Sequence, residues 1–174
     1  MKDMPKLIKT PRSDDNRGYF RKIYSEIISH ETMSLENVSE IFSTSSSKFT
    51  IRGMHFQKSP HATGKLIWVT HGSILDFVVD IRDTSSFGEI YQYFLSSDSD
   101  ESLWVPPGFA HGFQAMVDKT IVNYATDGSY NSDSDVGILW NSFGAKWAQQ
   151  PSQLSRRDSE FCTLEEYRLQ LETH

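Results

Sequence analysis

The segment RGMHFQKSPHATGKL, from Arg52 to Leu66, contains a histidine and a lysine that could act together on one substrate. His55 belongs to a short strand-like run, and Lys65 opens an apolar strand after an intervening loop. A neutral imidazole, with an unperturbed pKa of about 6.5, is a suitable general base near neutral pH. A lysine ammonium can stabilise the enolate oxygen that forms when a proton is removed next to a carbonyl group. The pair therefore predicts proton abstraction next to a carbonyl, if both side chains enter one pocket.

An epimerisation by this route needs two further groups. A second acid must return a proton to the opposite face of the substrate, and a tyrosine hydroxyl can do so. A carboxylate must hold the tautomer of the histidine and stabilise its cation. The chain contains such residues, but most proteins do, so their spacing alone does not identify the set.

A catalytic metal is the alternative use of the histidines. In cupin barrels, metal sites usually bring two histidines together as H-x-H, with a glutamate and a distant third histidine. Neither His55 nor His111 is followed two positions later by another histidine, and we expect His61 and His71 to be solvated loop residues. The sequence therefore predicts neither a metal nor a cofactor.

The elements that must position these residues are mostly strands. Many short segments carry Val, Ile, Phe, Tyr or Trp at about every second position. Helical character is confined to Ser25–Met33 and to a C-terminal segment that begins at Thr163 as a capping box and runs to about Glu172. Many short strands without strand–helix alternation predict an all-β sandwich or jelly-roll barrel in one domain, residues 1–174. The predicted strands are Gly18–Tyr24, Val38–Thr44, Thr50–Gln57, Lys65–Thr70, Ile74–Arg82, Ile90–Leu95, Leu103–Val105, Gly112–Met116 and Thr120–Thr126.

Alternation within these strands places polar side chains among apolar ones on possible interior faces. Lys65 shares a face with Ile67, Asp76 shares a face with Val78, and His111 shares a face with Phe113. This mixture is typical of a wet pocket, but the solvent side of an ordinary antiparallel sheet has the same pattern. The pattern by itself favours the solvent-side interpretation.

Composition limits the partners and the compartment. The formal net charge is -6, and the basic excess that a nucleic-acid or membrane surface usually requires is absent. The lone Cys162 cannot form an internal disulfide, and Glu160, Glu165 and Glu166 would disfavour its thiolate. No signal-peptide core or membrane-length apolar run is present. We therefore expect a soluble cytoplasmic protein that binds neither nucleic acid nor membrane.

Seven segments in combination resemble the motifs of dTDP-4-dehydrorhamnose 3,5-epimerases. The resemblance covers about residues 7 to 160, and it overrides the solvent-side interpretation. It implies a cupin-like jelly-roll barrel that is homodimeric, with N-terminal strands that complete the neighbour's sheet. The segments are DNRGYF (15–20), RGMHFQ (52–57), GKL (64–66), DFVVDIR (76–82), LWVPPGFAHGF (103–113), GILW (137–140) and LSRRD (154–158).

The resemblance also implies catalytic roles. His55 matches the general base that removes a proton next to the C4 ketone, and Asp158 matches its carboxylate partner. Lys65 matches the lysine that stabilises the enolate, and Tyr124 matches the proton-donating tyrosine. His111 matches a supporting histidine of the pocket.

Substrate-binding roles follow from the same resemblance. Arg17 and Arg52 match arginines that bind the phosphates, for which the planar guanidinium is suited. Gln57 and Tyr130 match residues that frame the substrate. Ideal pleating would place Arg52 and His55 on opposite faces of a strand, so we expect a distortion at Gly53.

Several positions depart from the family pattern around the substrate. The usual Q-x-N pair is replaced by Glu40 and Phe42, a usual Glu by Lys22, and the first of two tyrosines by Ser129. An aromatic residue usual before Arg17 is also absent. We infer a changed nucleotide or a changed sugar.

Taken together, the residues and the resemblance predict an epimerase. It would invert C3, C5 or both in a nucleotide-diphospho-4-keto-hexose, in the biosynthesis of a deoxy-sugar for surface polysaccharide. A 3,4-ketoisomerase and a non-catalytic nucleotide-sugar-binding cupin are the alternatives. The first typically has a second histidine in the HFQ region, and the second would have lost the histidine, lysine and tyrosine.

Overall fold

Twelve β-strands and two short helices form the regular structure within residues 4–25 and 37–173, which the computed structural model describes. The helices are α1 (Arg156–Ser159) and α2 (Leu164–Glu172). The strands are β1 (Lys6–Lys9), β2 (Arg12–Asp15), β3 (Gly18–Arg21), β4 (Glu40–Ser46), β5 (Ile51–Gln57), β6 (Lys65–His71), β7 (Ser73–Asp80), β8 (Ile90–Ser96), β9 (Glu101–Val105), β10 (Phe109–Ala115), β11 (Thr120–Thr126) and β12 (Asp135–Gly137).

Two five-stranded sheets form the body of the fold. The first has the strand order β1-β9-β6-β11-β4, and the second has the order β12-β5-β10-β7-β8. All neighbouring strands are antiparallel, and β2 and β3 form a separate hairpin. This is the predicted all-β jelly-roll architecture.

The main core lies between the two sheets. Ile67 and Val122 from the first sheet pack with Val78 and Phe113 from the second, and all four are buried. The face of β6, β7 and β10 that mixes polar and apolar residues therefore points toward the core between the sheets. The solvent-side interpretation of these strands is wrong. The C-terminal part of the chain covers the outer face of the second sheet, where Tyr167 of α2 packs in a further apolar cluster.

Strand β5 has a distortion at Gly53. His111 of β10 pairs with His55, and Phe113 pairs with Arg52, so β5 has one residue more than β10 between these pairs. Gly53 has φ +126°, a conformation that favours glycine, and a Cβ there would lie 2.5 Å from the Cα of Gly112. The extra residue turns the side chains of Arg52 and His55 toward the same cavity.

The predicted elements agree with the observed ones to within a few residues, with four omissions. Strand β11 has the predicted bounds, and Thr163 caps α2 through the predicted capping box. Strands β1, β2 and β12 and helix α1 were not predicted. The predicted helix Ser25–Met33 lies, apart from its first residue, outside the described residues. In the described chain, neither helix is long and apolar enough to cross a membrane.

Candidate active site

A cavity of about 240 Å³ opens between the two sheets. Strands β4, β6 and β11 line it from the first sheet, and β5 and β10 line it from the second. Seven of the nine residues predicted for the site lie in its wall. They are Arg52, His55, Gln57, Lys65, His111, Tyr124 and Tyr130.

Asp158 lies behind the wall, where it binds His55. The Nε2 atom of His55 is 3.0 Å from Oδ1 of Asp158, and the backbone N–H of Gly53 donates to Oδ2 at 3.1 Å. Burial alone would raise the pKa of the Asp158 carboxyl, but the His55 and Gly53 contacts outweigh it and lower the pKa. The carboxylate is therefore ionised and holds Nε2 of His55 as its partner. Nδ1 is the ring nitrogen left to accept a proton.

Helix α1 holds Asp158 in position. Ser155 precedes the helix in an extended conformation, and its Oγ accepts a hydrogen bond from the backbone N–H of Asp158 at 3.0 Å. The side chain of Asp158 is thereby directed toward β5, although Arg157 before it and Ser159 after it are both exposed.

Lys65 lies at the start of β6, in the opposite sheet from His55. Its Nζ donates to the backbone carbonyl of His55 at 3.2 Å, so the ammonium spans the gap between the sheets. Burial lowers the pKa of Lys65 to about 8, and the nearby carboxylates of Asp135 and Asp76 act in the opposite direction. The ammonium is therefore still mainly protonated at neutral pH and poorly solvated, as stabilisation of a developing anion requires.

Tyr124 faces His55 from the first sheet. It is only 6% exposed, and burial, together with the Asp76 carboxylate, raises the pKa of its phenol. Its ring stacks on Phe42 and meets the edge of His111. The phenol is therefore a protonated acid on the opposite side of the cavity from the imidazole.

His111 and Asp76 form a second buried histidine–carboxylate pair. Nε2 of His111 is 2.8 Å from Oδ2 of Asp76, and both side chains are almost fully buried. Burial raises the pKa of Asp76, although His111 and Lys65 favour its charged form. Oδ1 of Asp76 has no hydrogen-bond partner among the described residues. The pair supplies polarity at the base of the cavity, next to Tyr124.

Three predicted residues frame the mouth of the cavity. The guanidinium of Arg52 donates to Oγ of Ser46 at 2.9 Å, which holds the arginine against β4. The Gln57 amide donates to the carbonyl of His61 and accepts from the backbone N–H of Asn131, so it supports the loops at the mouth. The ring of Tyr130 is exposed there. Arg52 and Tyr130 thus remain available to a ligand, whereas Gln57 is mainly engaged with backbone.

Arg17 is not brought to the cavity of this chain. It lies in the turn between β2 and β3, where its side chain is 85% exposed and pairs with Asp15 at 2.5 Å. Every other residue predicted for the site lies in the cavity wall or directly behind it.

Comparison with known proteins identifies the family. The sequence profile of the family described as dTDP-4-dehydrorhamnose 3,5-epimerase matches residues 3–166. The chain belongs to this family. It is therefore an epimerase, in the isomerase class of enzymes.

Individual members of the epimerase family are similar over most of their length. The dTDP-4-dehydrorhamnose 3,5-epimerase of Escherichia coli K12 is 38% identical over 92% of this chain and 90% of its own. The Bacillus anthracis enzyme, solved with TDP and PPi bound, has 38% identity and a TM-score of 0.86 over 91% of this chain and 93% of its own. A Legionella pneumophila 3,5-epimerase in complex with dTDP-4-keto-L-rhamnose has 28% identity and a TM-score of 0.87, over 92% of this chain and 88% of its own.

Asp135 and Arg157 are cavity residues that sequence reasoning missed. Their side chains form an ion pair at 2.7 Å, and Asp135 also acts on the charge of Lys65. Asp135 begins β12, which has only three residues and therefore shows no alternation. The position of Arg157 next to Asp158, in a motif of the epimerase family, was the only signal for it.

Burial, and then Glu166, raises the pKa of the Cys162 thiol, and this residue does not line the cavity of His55. Among residues 4–25 and 37–173, no three His, Cys, Asp or Glu side chains are grouped as metal ligands would be.

Proposed function

We propose that this epimerase inverts the configuration next to the C4 ketone of a nucleotide-diphospho-4-keto-6-deoxyhexose, at C3, C5 or both. The observation that carries the proposal is that His55 and Tyr124 line one cavity from different sheets. A base and an acid on opposite sides of a substrate are what inversion requires. Lys65, which lines the same cavity and whose Nζ donates to the His55 carbonyl, supplies the positive charge.

The reaction begins with proton removal by Nδ1 of His55. The C–H electrons pass through the ring carbon to the C4 oxygen, and the ammonium of Lys65 stabilises the enolate. Tyr124 then donates its hydroxyl proton to the same carbon from the opposite side. Asp158 stabilises the imidazolium throughout, because its carboxylate is 3.0 Å from Nε2.

dTDP-4-keto-6-deoxyglucose is the substrate to test first. Relatives of this chain are described as dTDP-sugar epimerases, and one was solved with dTDP-4-keto-L-rhamnose bound. The family assignment favours epimerisation over ketoisomerisation, and the presence of His55, Lys65 and Tyr124 in one cavity argues against a non-catalytic binding protein. The product would be a precursor of a deoxy-sugar for surface polysaccharide.

Deuterium exchange from heavy water tests this function. We expect NMR of the product to show deuterium at C3, C5 or both, with inverted configuration. In His55→Asn, turnover should fall by about 10²- to 10⁴-fold, the usual contribution of a general base. Thermal unfolding of the variant would control for loss of fold. Absence of exchange by the parent enzyme, or unchanged exchange in His55→Asn, would contradict the proposal.

We further propose a homodimer in which the β2–β3 hairpin supplies Arg17 to the cavity of the partner subunit. The hairpin exposes Tyr19 and Phe20, and among the described residues β4 is an edge strand of its sheet. Exposed aromatic side chains and an edge strand are features that a second chain can cover. The lone Cys162 is compatible with the reducing cytoplasm, where we propose that the enzyme acts.

A mixing experiment tests the role of Arg17. Arg17→Ala and His55→Asn homodimers should each be inactive or nearly so. If Arg17 acts in the partner's cavity, subunit exchange between them creates dimers with one intact site, and activity returns. If Arg17 acts within its own chain, no mixed dimer has an intact site and the mixture stays inactive.

A further inference from the structure

Phe42 is an unusual residue for the edge of a sheet. It belongs to β4, the edge strand of the first sheet, and it is 44% exposed. Edge strands usually carry charged or polar residues, because exposed apolar edges promote association. The ring of Phe42 faces the cavity rather than bulk solvent alone. Its position therefore indicates a role in the site.

That role concerns Tyr124. The two residues are directly opposite each other in the ladder between β4 and β11. Their ring centroids are 4.8 Å apart and the ring planes differ by 14°, so the rings stack. Stacked aromatic neighbours restrict each other's side-chain torsions and contribute beyond the area they bury.

His111 is the second aromatic neighbour of Tyr124. His111 meets the tyrosine ring edge-on, with centroids 6.2 Å apart and an interplanar angle of 73°. His111 is itself held by Asp76 at 2.8 Å in a fully buried pair. Of the two rings that contact Tyr124, His111 is buried and Phe42 is exposed.

We propose that Phe42 is a positioning residue that holds the Tyr124 ring in the orientation needed to protonate the enolate from the face opposite His55. This inference rests on the function proposed above. When Tyr124 delivers its proton, a new C–H bond forms on that face, the His55 imidazolium releases its proton to water, and the phenolate regains a proton from water. When it does not, the His55 imidazolium or water returns a proton to the original face. The second outcome exchanges hydrogen without inversion, so Phe42 determines the ratio of inversion to exchange.

The test compares leucine substitutions at neighbouring positions of β4. Phe42→Leu removes the stacking ring, whereas Ile41→Leu changes the adjacent residue, which is 70% exposed and is not among the residues that line the cavity. Phe42→Tyr keeps the ring and is the conservative variant. Tyr124→Phe is the reference for complete loss of the acid. Each variant is incubated with dTDP-4-keto-6-deoxyglucose in heavy water, and NMR gives deuterium gained and configuration inverted at C3 and C5.

We expect Phe42→Leu to keep proton exchange and to lower the ratio of inversion to exchange by roughly twofold to tenfold, the range that an aromatic pair can contribute. The loss should be smaller than in Tyr124→Phe. Phe42→Tyr should keep the ratio of inversion to exchange of the parent enzyme, and Ile41→Leu should also leave this ratio unchanged.

Two outcomes would overturn the proposal. If Phe42→Leu raises KM but leaves the ratio unchanged, Phe42 is only a wall that contacts the sugar. If Phe42→Tyr lowers the ratio as much as Phe42→Leu does, stacking on Tyr124 is not the cause. Failure of the proposed function looks different, because the parent enzyme itself would then show no exchange.

Discussion

Lys65 is the residue whose charge should limit activity at alkaline pH. Burial lowers its pKa to about 8, so the ammonium that we propose stabilises the enolate is lost as the pH rises through that value. We expect an alkaline limb near pH 8 in kcat. Asp135 raises the pKa of Lys65, so Asp135→Asn should move the limb to lower pH. Asp133→Asn, which removes an exposed carboxylate two residues away, is the matched control.

The contribution of Lys65 to the free energy of unfolding should change with pH in the opposite direction to kcat. The pKa of Lys65 is about 8 in the folded protein and 10.5 for an ordinary lysine, so the unfolded chain binds more protons between these values. The contribution of Lys65 to the free energy of unfolding therefore increases as the pH rises through this window. Thermal unfolding measured near pH 8 and near pH 10.5 shows whether activity lost in this window reflects loss of the Lys65 charge or unfolding of the protein.

The kcat prediction has its own contradicting outcome. If the alkaline limb in kcat does not move in Asp135→Asn, a group other than Lys65 titrates.

At the scale of elements, helix α1 positions Asp158, so its N-cap residue Ser155 should affect turnover. Ser155→Ala removes the Oγ that accepts from the backbone N–H of Asp158, which should cost about 1 kcal/mol of stability. Thr163→Ala removes the corresponding cap of α2, which carries no residue of the site. We expect similar losses in thermal stability but a lower kcat only in Ser155→Ala. Equal kcat values in the two variants would show that Asp158 is held by other contacts.

The elements differ in how far their sequences could predict them. Strand β11 is rich in β-branched and aromatic residues and ends at the Asp127-Gly128 turn, so its bounds were predictable. Strand β2 is exposed at all four positions and β12 has three residues, so neither contains an alternating pattern. Their pairing partners are fixed by tertiary contacts that a local pattern does not contain.

The candidate site was predictable mainly through motifs. His55, Lys65 and Tyr124 belong to three strands in two sheets, and residue types alone did not select them. The distortion at Gly53 followed from strand geometry once Arg52 and His55 were assigned to one pocket. The sequence contains no motif or pattern that points to Asp135, because its place in the site depends on an ion pair with Arg157, which is distant in sequence.

At the scale of the whole molecule, the mechanism assigns the enolate charge to Lys65 rather than to a metal. Exhaustive chelation followed by dialysis should therefore leave kcat unchanged. The measurement is turnover and metal content before and after treatment, with Lys65→Ala as the variant that should lose activity under both conditions. A stoichiometric metal whose removal abolishes turnover would contradict this mechanism.

The facing arrangement of the two sheets has a stereochemical consequence. Because the base belongs to one sheet and the acid to the other, the thickness of the core between them sets the distance that a sugar ring must bridge. Packed sheets lie about 10 Å apart, and the size of the side chains between them adjusts this spacing. The core between the sheets includes Ile67, Val78, Phe113 and Val122. We expect the distance between the proposed base and acid to depend on the size of these side chains. We expect substitutions at these buried positions to change the configuration of the product at C3 and C5, without any change to a residue that touches the sugar.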